Sequence, residues 1–155
     1  MESSDRVCWR FLQARKWDVA KAVALFKEAV AMRESKQLDS LLDRPCVKGL
    51  EYKVVSKHGW HGFDRFGRPV FIKNTGWQDF PALYSTGTLA ERVDYNTYVN
   101  EWLRQRIMPD ANARAKLADG SKPLIDHVVT IVNLQNFGWH CIKQHNYVGF
   151  LHGAH

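Results

Sequence analysis

The side chains best suited to chemistry crowd toward the C-terminus, where His140, Cys141, His145, His152 and His155 fall close together. Imidazole and thiolate are ligands that zinc prefers, but a site needs three or four of them converging at about 2.0–2.3 Å, and this spacing matches no zinc template. Cys141 and His145 could form a nucleophile–base pair, yet no third group that would orient the imidazole is identifiable. The chain has no G-x-G-x-x-G, no G-x-x-x-x-G-K-[ST], no G-x-S-x-G and no H-E-x-x-H. These observations argue against an enzyme, a resident metal and a cofactor. What stands out instead is 6 Trp, 5 Tyr and 8 Phe, with 22 Lys+Arg against 16 Asp+Glu for a formal charge of +6. Aromatic side chains fill cores, but they also line apolar ligand cavities and sit at membrane interfaces. The positive excess points to acidic partners: nucleic acid, anionic lipid headgroups or acidic protein surfaces.

The elements that must position these residues are legible from spacing. Ser3, Ser4 and Asp5 offer N-caps for a short helix carrying Cys8, Phe11 and Leu12 on one side and ending near Arg15 and Lys16. Asp18 caps a second helix, whose Val19, Ala22, Val23, Phe26, Ala29 and Val30 recur at helical spacing and predict a buried face. Between Gln37 and Phe66 the pattern breaks up around Pro45, Gly49, Gly59 and Gly62, and residues 50–55 suit a short helix or a strand equally. Asp64-Arg65-Phe66-Gly67 reads as a tight turn, and Arg68-Pro69 then launches a strand over 70–74. Thr88 and Glu91 make a capping box for a helix expected to run to about Met108, where Pro109 should end it. Residues 111–118 have high helix propensity, and Asp119-Gly120-Ser121 closes them. The unalternating apolar run 127–132 predicts a strand covered on both faces of a sheet. Strand, long helix and buried strand together indicate an α/β fold with a crossover connection.

Length and composition bound the rest. With 155 residues and 45% apolar content the chain suits one ordinary domain or two very small ones. No run approaches the ~20 apolar residues that span a bilayer, and no signal-peptide pattern opens the chain. Three distant cysteines, Cys8, Cys46 and Cys141, cannot form a complete disulfide framework, which fits a reducing, cytoplasmic setting.

Three motifs carry a resemblance. Arg10-Phe11-Leu12-Gln13-Ala14-Arg15-Lys16-Trp17-Asp18-Val19, with its helix running on to Met32-Arg33, is similar to the "RFLRARKFDV" signature of the CRAL-TRIO N-terminal helical domain. Asp64-Arg65-Phe66-Gly67-Arg68-Pro69-Val70 resembles the "D-x-x-G-R-P-V" that opens the family's lipid-binding domain. Thr130-Ile131-Val132-Asn133-Leu134 resembles its second strand, with Asn133 in place of the usual Asp and Asn136 in place of the usual Gly. In order and spacing the three motifs resemble the phosphatidylinositol/phosphatidylcholine transfer branch of the CRAL-TRIO family over about residues 6–138. The resemblance implies part of an N-terminal helical domain over 1–36. It further implies the first part of an α/β lipid-binding domain with a mainly parallel sheet over 37–155, so that the domain pair is shortened at both ends.

The resemblance also assigns roles. Arg15 corresponds to an arginine associated with phosphoinositide headgroups, chemistry that suits an always-charged bidentate donor. Thr130 corresponds to a threonine associated with choline-headgroup phospholipid, although its serine companion two positions earlier is Val128 here. Phe71, Tyr98 and Trp102 are candidates to line an acyl-chain cavity, where each buried methylene contributes about 0.8 kcal/mol. Arg10, Lys16 and Lys21 would face an anionic membrane, each near-surface cation contributing about 1 kcal/mol. The expected activity is binding, and intermembrane transfer, of a phospholipid or other small hydrophobic ligand by a cytoplasmic protein peripheral to membranes, with no cofactor and no nucleic acid. The alternative is a protein-interaction or regulatory fragment that has lost lipid exchange and pairs with a protein partner or a second copy.

Overall fold

The computed structural model describes residues 4–115 and 124–138. It divides into two compact units, Met1–Arg44 and Pro45–His155.

The first unit is a helical hairpin. Helix α1 (Ser4–Ala14) is followed by a corner in which Lys16 and Trp17 adopt left-handed backbone angles, φ 51° and 67°. The Trp17 amide closes the corner on the Leu12 carbonyl at 2.8 Å. Asp18 then caps α2 (Val19–Ser35), its carboxylate accepting from the Lys21 amide at 3.0 Å. Phe11 meets Phe26 edge to face at 5.2 Å, and Leu38, in a 3-10 turn (Leu38–Asp43), is buried. The expected buried face of α2 is only partly realised. Ala22 is buried, whereas Val19, Val23 and Phe26 are exposed, because two short helices and a turn offer too little surface to cover a whole stripe.

The second unit is α/β. Helix α3 (Gly49–Ser56) resolves the segment that sequence left open, and β1 (His58–Phe63) follows directly. β1 pairs antiparallel with β2 (Pro69–Asn74), and β2 pairs parallel with β3 (Val129–Asn133), in the order β1-β2-β3. Among the described residues the sheet is therefore mixed, with one antiparallel and one parallel pairing, rather than mainly parallel. The antiparallel pair comes from the hairpin: Asp64 accepts from the Phe66 and Arg68 amides at 2.9 Å each, and Gly67 supplies φ 81°. Glycines 59 and 62 lie within β1, where sequence reading took them as turn markers.

Short helix α4 (Phe80–Ser85) precedes α5 (Leu89–Trp102), which opens on the expected Thr88–Glu91 capping box. Pro109 does not end the helical run. A π-helical segment, Leu103–Ile107, widens the backbone ahead of it, and Pro109 sits in the first turn of α6 (Met108–Arg114), where a missing N–H costs nothing. The expected helix over 111–118 is described as far as Arg114. Residues 116–118, Asp119-Gly120-Ser121 and the C-terminal histidines with Cys141 lie outside the described residues.

Strand β3 corrects a further expectation. Thr130, Ile131 and Val132 are exposed rather than covered on both faces, and β3 lies at the edge of the sheet among the described residues. Its approach is anchored instead by α6. The Asn112 amide donates to the Ile125 carbonyl at 2.8 Å and its oxygen accepts from the Ile125 N–H at 2.9 Å, beside the buried cluster Ala111, Ala115 and Ile125. Replacing Asn112 by Leu strands two buried backbone groups, and urea denaturation should show a loss of about 2 kcal/mol. An unchanged midpoint would mean that the amide pairing carries no weight.

Candidate functional site

One face of the sheet and one face of α5 enclose the site. Side chains alternate along a strand, so His58 and Trp60 on β1 share a face with Phe71 and Lys73 on β2. Above them α5 presents Tyr95, Tyr98, Val99 and Trp102, recurring at helical spacing. The result is an aromatic row: Tyr52 stacks on Tyr95 at 5.3 Å, His58 lies 5.8 Å from Tyr95 and 5.3 Å from Phe71, and Trp60 meets Phe71 at 4.7 Å. Two cavities flank this row. A groove of about 510 Å³ is walled by Trp60, Phe71, Tyr98, Val99 and Trp102, with Cys46 and Lys53 beside them. A smaller compartment of about 90 Å³ is lined by Ser56, Lys73, Gln78, Tyr84 and Arg92, and both include His58, Phe71 and Tyr95.

His58 is the polar centre. Its Nδ1 lies 3.1 Å from the Ser56 carbonyl and 2.9 Å from the Ser56 hydroxyl. A carbonyl can only accept, so Nδ1 carries the proton and Nε2, 3.4 Å from the Tyr95 hydroxyl, accepts from it. Burial pushes the imidazole pKa below its usual value; the bond to Ser56 opposes this, and the charges of Lys73 and Lys53 reinforce it. The unfolded imidazole therefore binds a proton more readily than the folded one. This contribution to stability is intact above about pH 6.5, begins to be lost as pH falls through that value, and is fully lost below the depressed folded pKa. Denaturation midpoints measured across that window should fall with pH in the wild type, and the slope should flatten in His58→Gln.

Cys46 is a protonated wall residue, its thiol pKa raised by burial and then by the charge of Asp94. Among the described residues no group of three His, Cys, Asp or Glu side chains could hold a metal, and no helix is long and apolar enough to cross a membrane.

The residues singled out from sequence fall in three places. Phe71, Tyr98 and Trp102 all reach the wall of the larger groove, with Trp102 at its exposed rim. Thr130 lies opposite Phe71 in the β2–β3 register, but its side chain is exposed and lines neither cavity. Arg15 belongs to the first unit, exposed after α1, with one guanidinium nitrogen 3.4 Å from the Ala14 carbonyl. Arg10, Lys16 and Lys21 are exposed in the same unit, and Lys21 pairs with Asp18 at 2.9 Å. Sequence reading missed His58, Trp60 and Lys73. The signal was present as a period of two, His58 with Trp60 and Phe71 with Lys73, once β1 is accepted as a strand through its glycines.

Comparison with known proteins bears on this arrangement. Residues 2–28 match the family model of the CRAL/TRIO N-terminal domain. Over 133 residues the chain is 29% identical to the phosphatidylinositol/phosphatidylcholine transfer protein SFH9 of Arabidopsis thaliana, covering 84% of this chain and 22% of that protein. These matches support a place in the CRAL-TRIO family. A second Arabidopsis thaliana member, the phosphatidylinositol/phosphatidylcholine transfer protein SFH7, is 30% identical over 132 residues, or 83% of this chain and 23% of its own length. The protein real-time of Drosophila pseudoobscura pseudoobscura is 38% identical over 77 residues, 48% of this chain and 11% of its own. The chain thus spans about a fifth of the length of the two plant relatives and about a tenth of the insect one. Two CRAL-TRIO departures noted in the sequence have local explanations. Asn136, where the family has Gly, adopts φ 67°, a left-handed angle that asparagine tolerates. Asn133, where the family has Asp, donates from its amide to the Asn74 side chain at 3.3 Å.

Proposed function

We propose that the second unit binds one phospholipid or similar amphiphile, its apolar part lying in the groove between the sheet and α5. The observation that carries this reading is the groove itself, about 510 Å³ and walled by Trp60, Phe71, Tyr98, Val99 and Trp102. That volume is in the range of small-molecule sites, and aromatic walls reward any acyl chain regardless of its headgroup. The names of the plant relatives support lipid transfer as the activity of the whole protein, and binding without chemistry fits a site that lacks an activated nucleophile. The basic residues Arg10, Arg15, Lys16 and Lys21 of the first unit, beside the exposed pair Trp9 and Trp17 at 4.8 Å, suit transient contact with anionic membranes from the cytoplasmic side. Native mass spectrometry of the chain purified from eukaryotic cells should find one lipid per folded chain. A fluorescent phospholipid should also move between vesicle populations when the chain is added. Folded chain without lipid, together with no exchange, would sink the proposal.

A second reading is favoured by one observation, the exposed Ile131, Val132 and Leu134 on and after edge strand β3. An open edge with apolar side chains suits strand addition by a protein partner or a second copy. Light scattering on lipid-free material separates the two readings: an obligate oligomer without lipid supports pairing, and a lipid-loaded monomer supports binding.

A further inference from the structure

The two cavities that meet at His58, Phe71 and Tyr95 differ in character. Among the described residues no carboxylate lines either of them, while Lys53, Lys73 and Arg92 do. Arg92 is already engaged. Its guanidinium donates to the Gly87 carbonyl at 2.6 Å and the Tyr84 carbonyl at 3.4 Å, and it lies 5.2 Å from the Tyr84 ring centroid. Lys73 is not. It is half-buried on the same sheet face as Phe71, and its ammonium has no carboxylate or hydrogen-bond partner among the described residues. Withdrawing a cation from water without a counter-charge is costly, and burial alone pushes the Lys73 pKa down with no acid to oppose it.

The neighbouring polar groups also keep unused hydrogen-bonding capacity. The Ser56 hydroxyl accepts from the Gln78 amide at 3.4 Å and from His58 Nδ1, which leaves its own proton free to donate. The Gln78 side-chain oxygen is buried with no hydrogen-bond partner among the described residues. Buried polar atoms are nearly always satisfied in a working protein, by water or by a ligand. A compartment of about 90 Å³ has room for a few waters or one small ionic group.

We propose that this compartment holds the oxyanion of an amphiphile, a carboxylate or a phosphate monoester, on the Lys73 ammonium and the Ser56 hydroxyl, while its tail passes Phe71 and Tyr95 into the groove. The inference rests on the groove reading above and adds the ligand's charge: the preferred occupant is an acidic lipid rather than a zwitterionic one. Charge-assisted donors select for it, and no described wall residue is a carboxylate that would repel an anion.

Tryptophan fluorescence of the 155-residue chain, with Trp60 and Trp102 in the groove wall, follows titration with oleate, with phosphatidylcholine vesicles carrying phosphatidate, with lysophosphatidylcholine and with inorganic phosphate. Oleate or phosphatidate should bind more tightly than lysophosphatidylcholine. Lys73→Met should weaken the acidic ligand by about 10- to 100-fold, the range of one charge-assisted hydrogen bond, and leave lysophosphatidylcholine unchanged. Lys73→Arg should retain the preference. Circular dichroism and urea midpoints check that the variants fold; should Lys73→Met not fold, the preference of the wild type among the ligands decides by itself. Equal wild-type affinity for acidic and zwitterionic ligands overturns this inference and leaves the groove reading standing. No binding of any amphiphile overturns both. Binding of inorganic phosphate alone, dependent on Lys73, makes this a site for a soluble anion and overturns the assignment to a lipid.

Discussion

Gly76→Ala should destabilise the second unit by about 3 kcal/mol, the upper end of what overpacking costs. Gly76 lies in the short 3-10 turn after β2, where the chain passes directly over the turn that follows β3. A methyl group there would overlap the carbonyl oxygen of Gln135, 2.6 Å from its carbon, and would sit 2.9 Å from the Phe137 nitrogen. These are backbone atoms and cannot swing aside as a side chain would. They are also fixed locally: the Phe137 amide donates to the Leu134 carbonyl at 2.8 Å, and the Gln135 amide to the Asn133 side chain at 2.9 Å. Relief therefore requires β2 and β3 to part at the end where Asn74 pairs with Asn133. Against a total stability of roughly 5–15 kcal/mol for a small domain, the urea midpoint should drop sharply at an unchanged slope. Gly59→Ala is the control, because a methyl at that point of β1 meets nothing within 4 Å and should cost little. Equal behaviour of the two variants would refute the close approach.

Tyr52 should give two opposite results. Its side chain is fully buried (0% exposed) and stacks on Tyr95 at 5.3 Å, so it backs the wall on which the compartment and α5 depend. Tyr52→Ala should cost about 4 kcal/mol, as large-to-small aromatic replacements in cores do, and should also loosen amphiphile binding by letting Tyr95 drop back. Tyr52→Phe keeps the ring and removes a hydroxyl that is buried without a hydrogen-bond partner among the described residues. Losing an unsatisfied polar atom is neutral or stabilising, so its urea midpoint should hold or rise. A clear loss of stability in Tyr52→Phe would show that the hydroxyl is satisfied by water or a ligand, and that the compartment is more polar than its side chains alone indicate.

Much of the second unit could be read from short signals whose physics is local. The Asp64–Gly67 turn, the start of β2 at Pro69 and the Thr88–Glu91 cap depend on residues within four positions of each other, so neighbours in sequence suffice to specify them. The Asp18 cap is of the same kind. The failures were all decided at longer range. Pro109 was expected to stop a helix, but a π-helical widening ahead of it accommodates the ring, a choice that depends on packing along several turns. Run 127–132 has the composition of a doubly covered strand, yet burial depends on what lies above and below, and among the described residues β3 ends on an edge.

The candidate site divides along the same line. Sequence alone determined that this chain is a helical segment joined to an α/β unit, that it carries three motifs resembling those of the CRAL-TRIO family, and that Phe71, Tyr98 and Trp102 are candidates for an apolar cavity wall. It could do so because motif spacing and aromatic content are properties of the chain itself. Only the tertiary structure decided that these three share a groove with Trp60, that Thr130 stays outside it, and that Lys73 lies beside His58 with no acid among the described residues to balance its charge. Convergence of that kind is set by strand register and by the rotation of α5 over the sheet. It brings together residues as far apart as Ser56 and Arg92, and no local pattern encodes their distance.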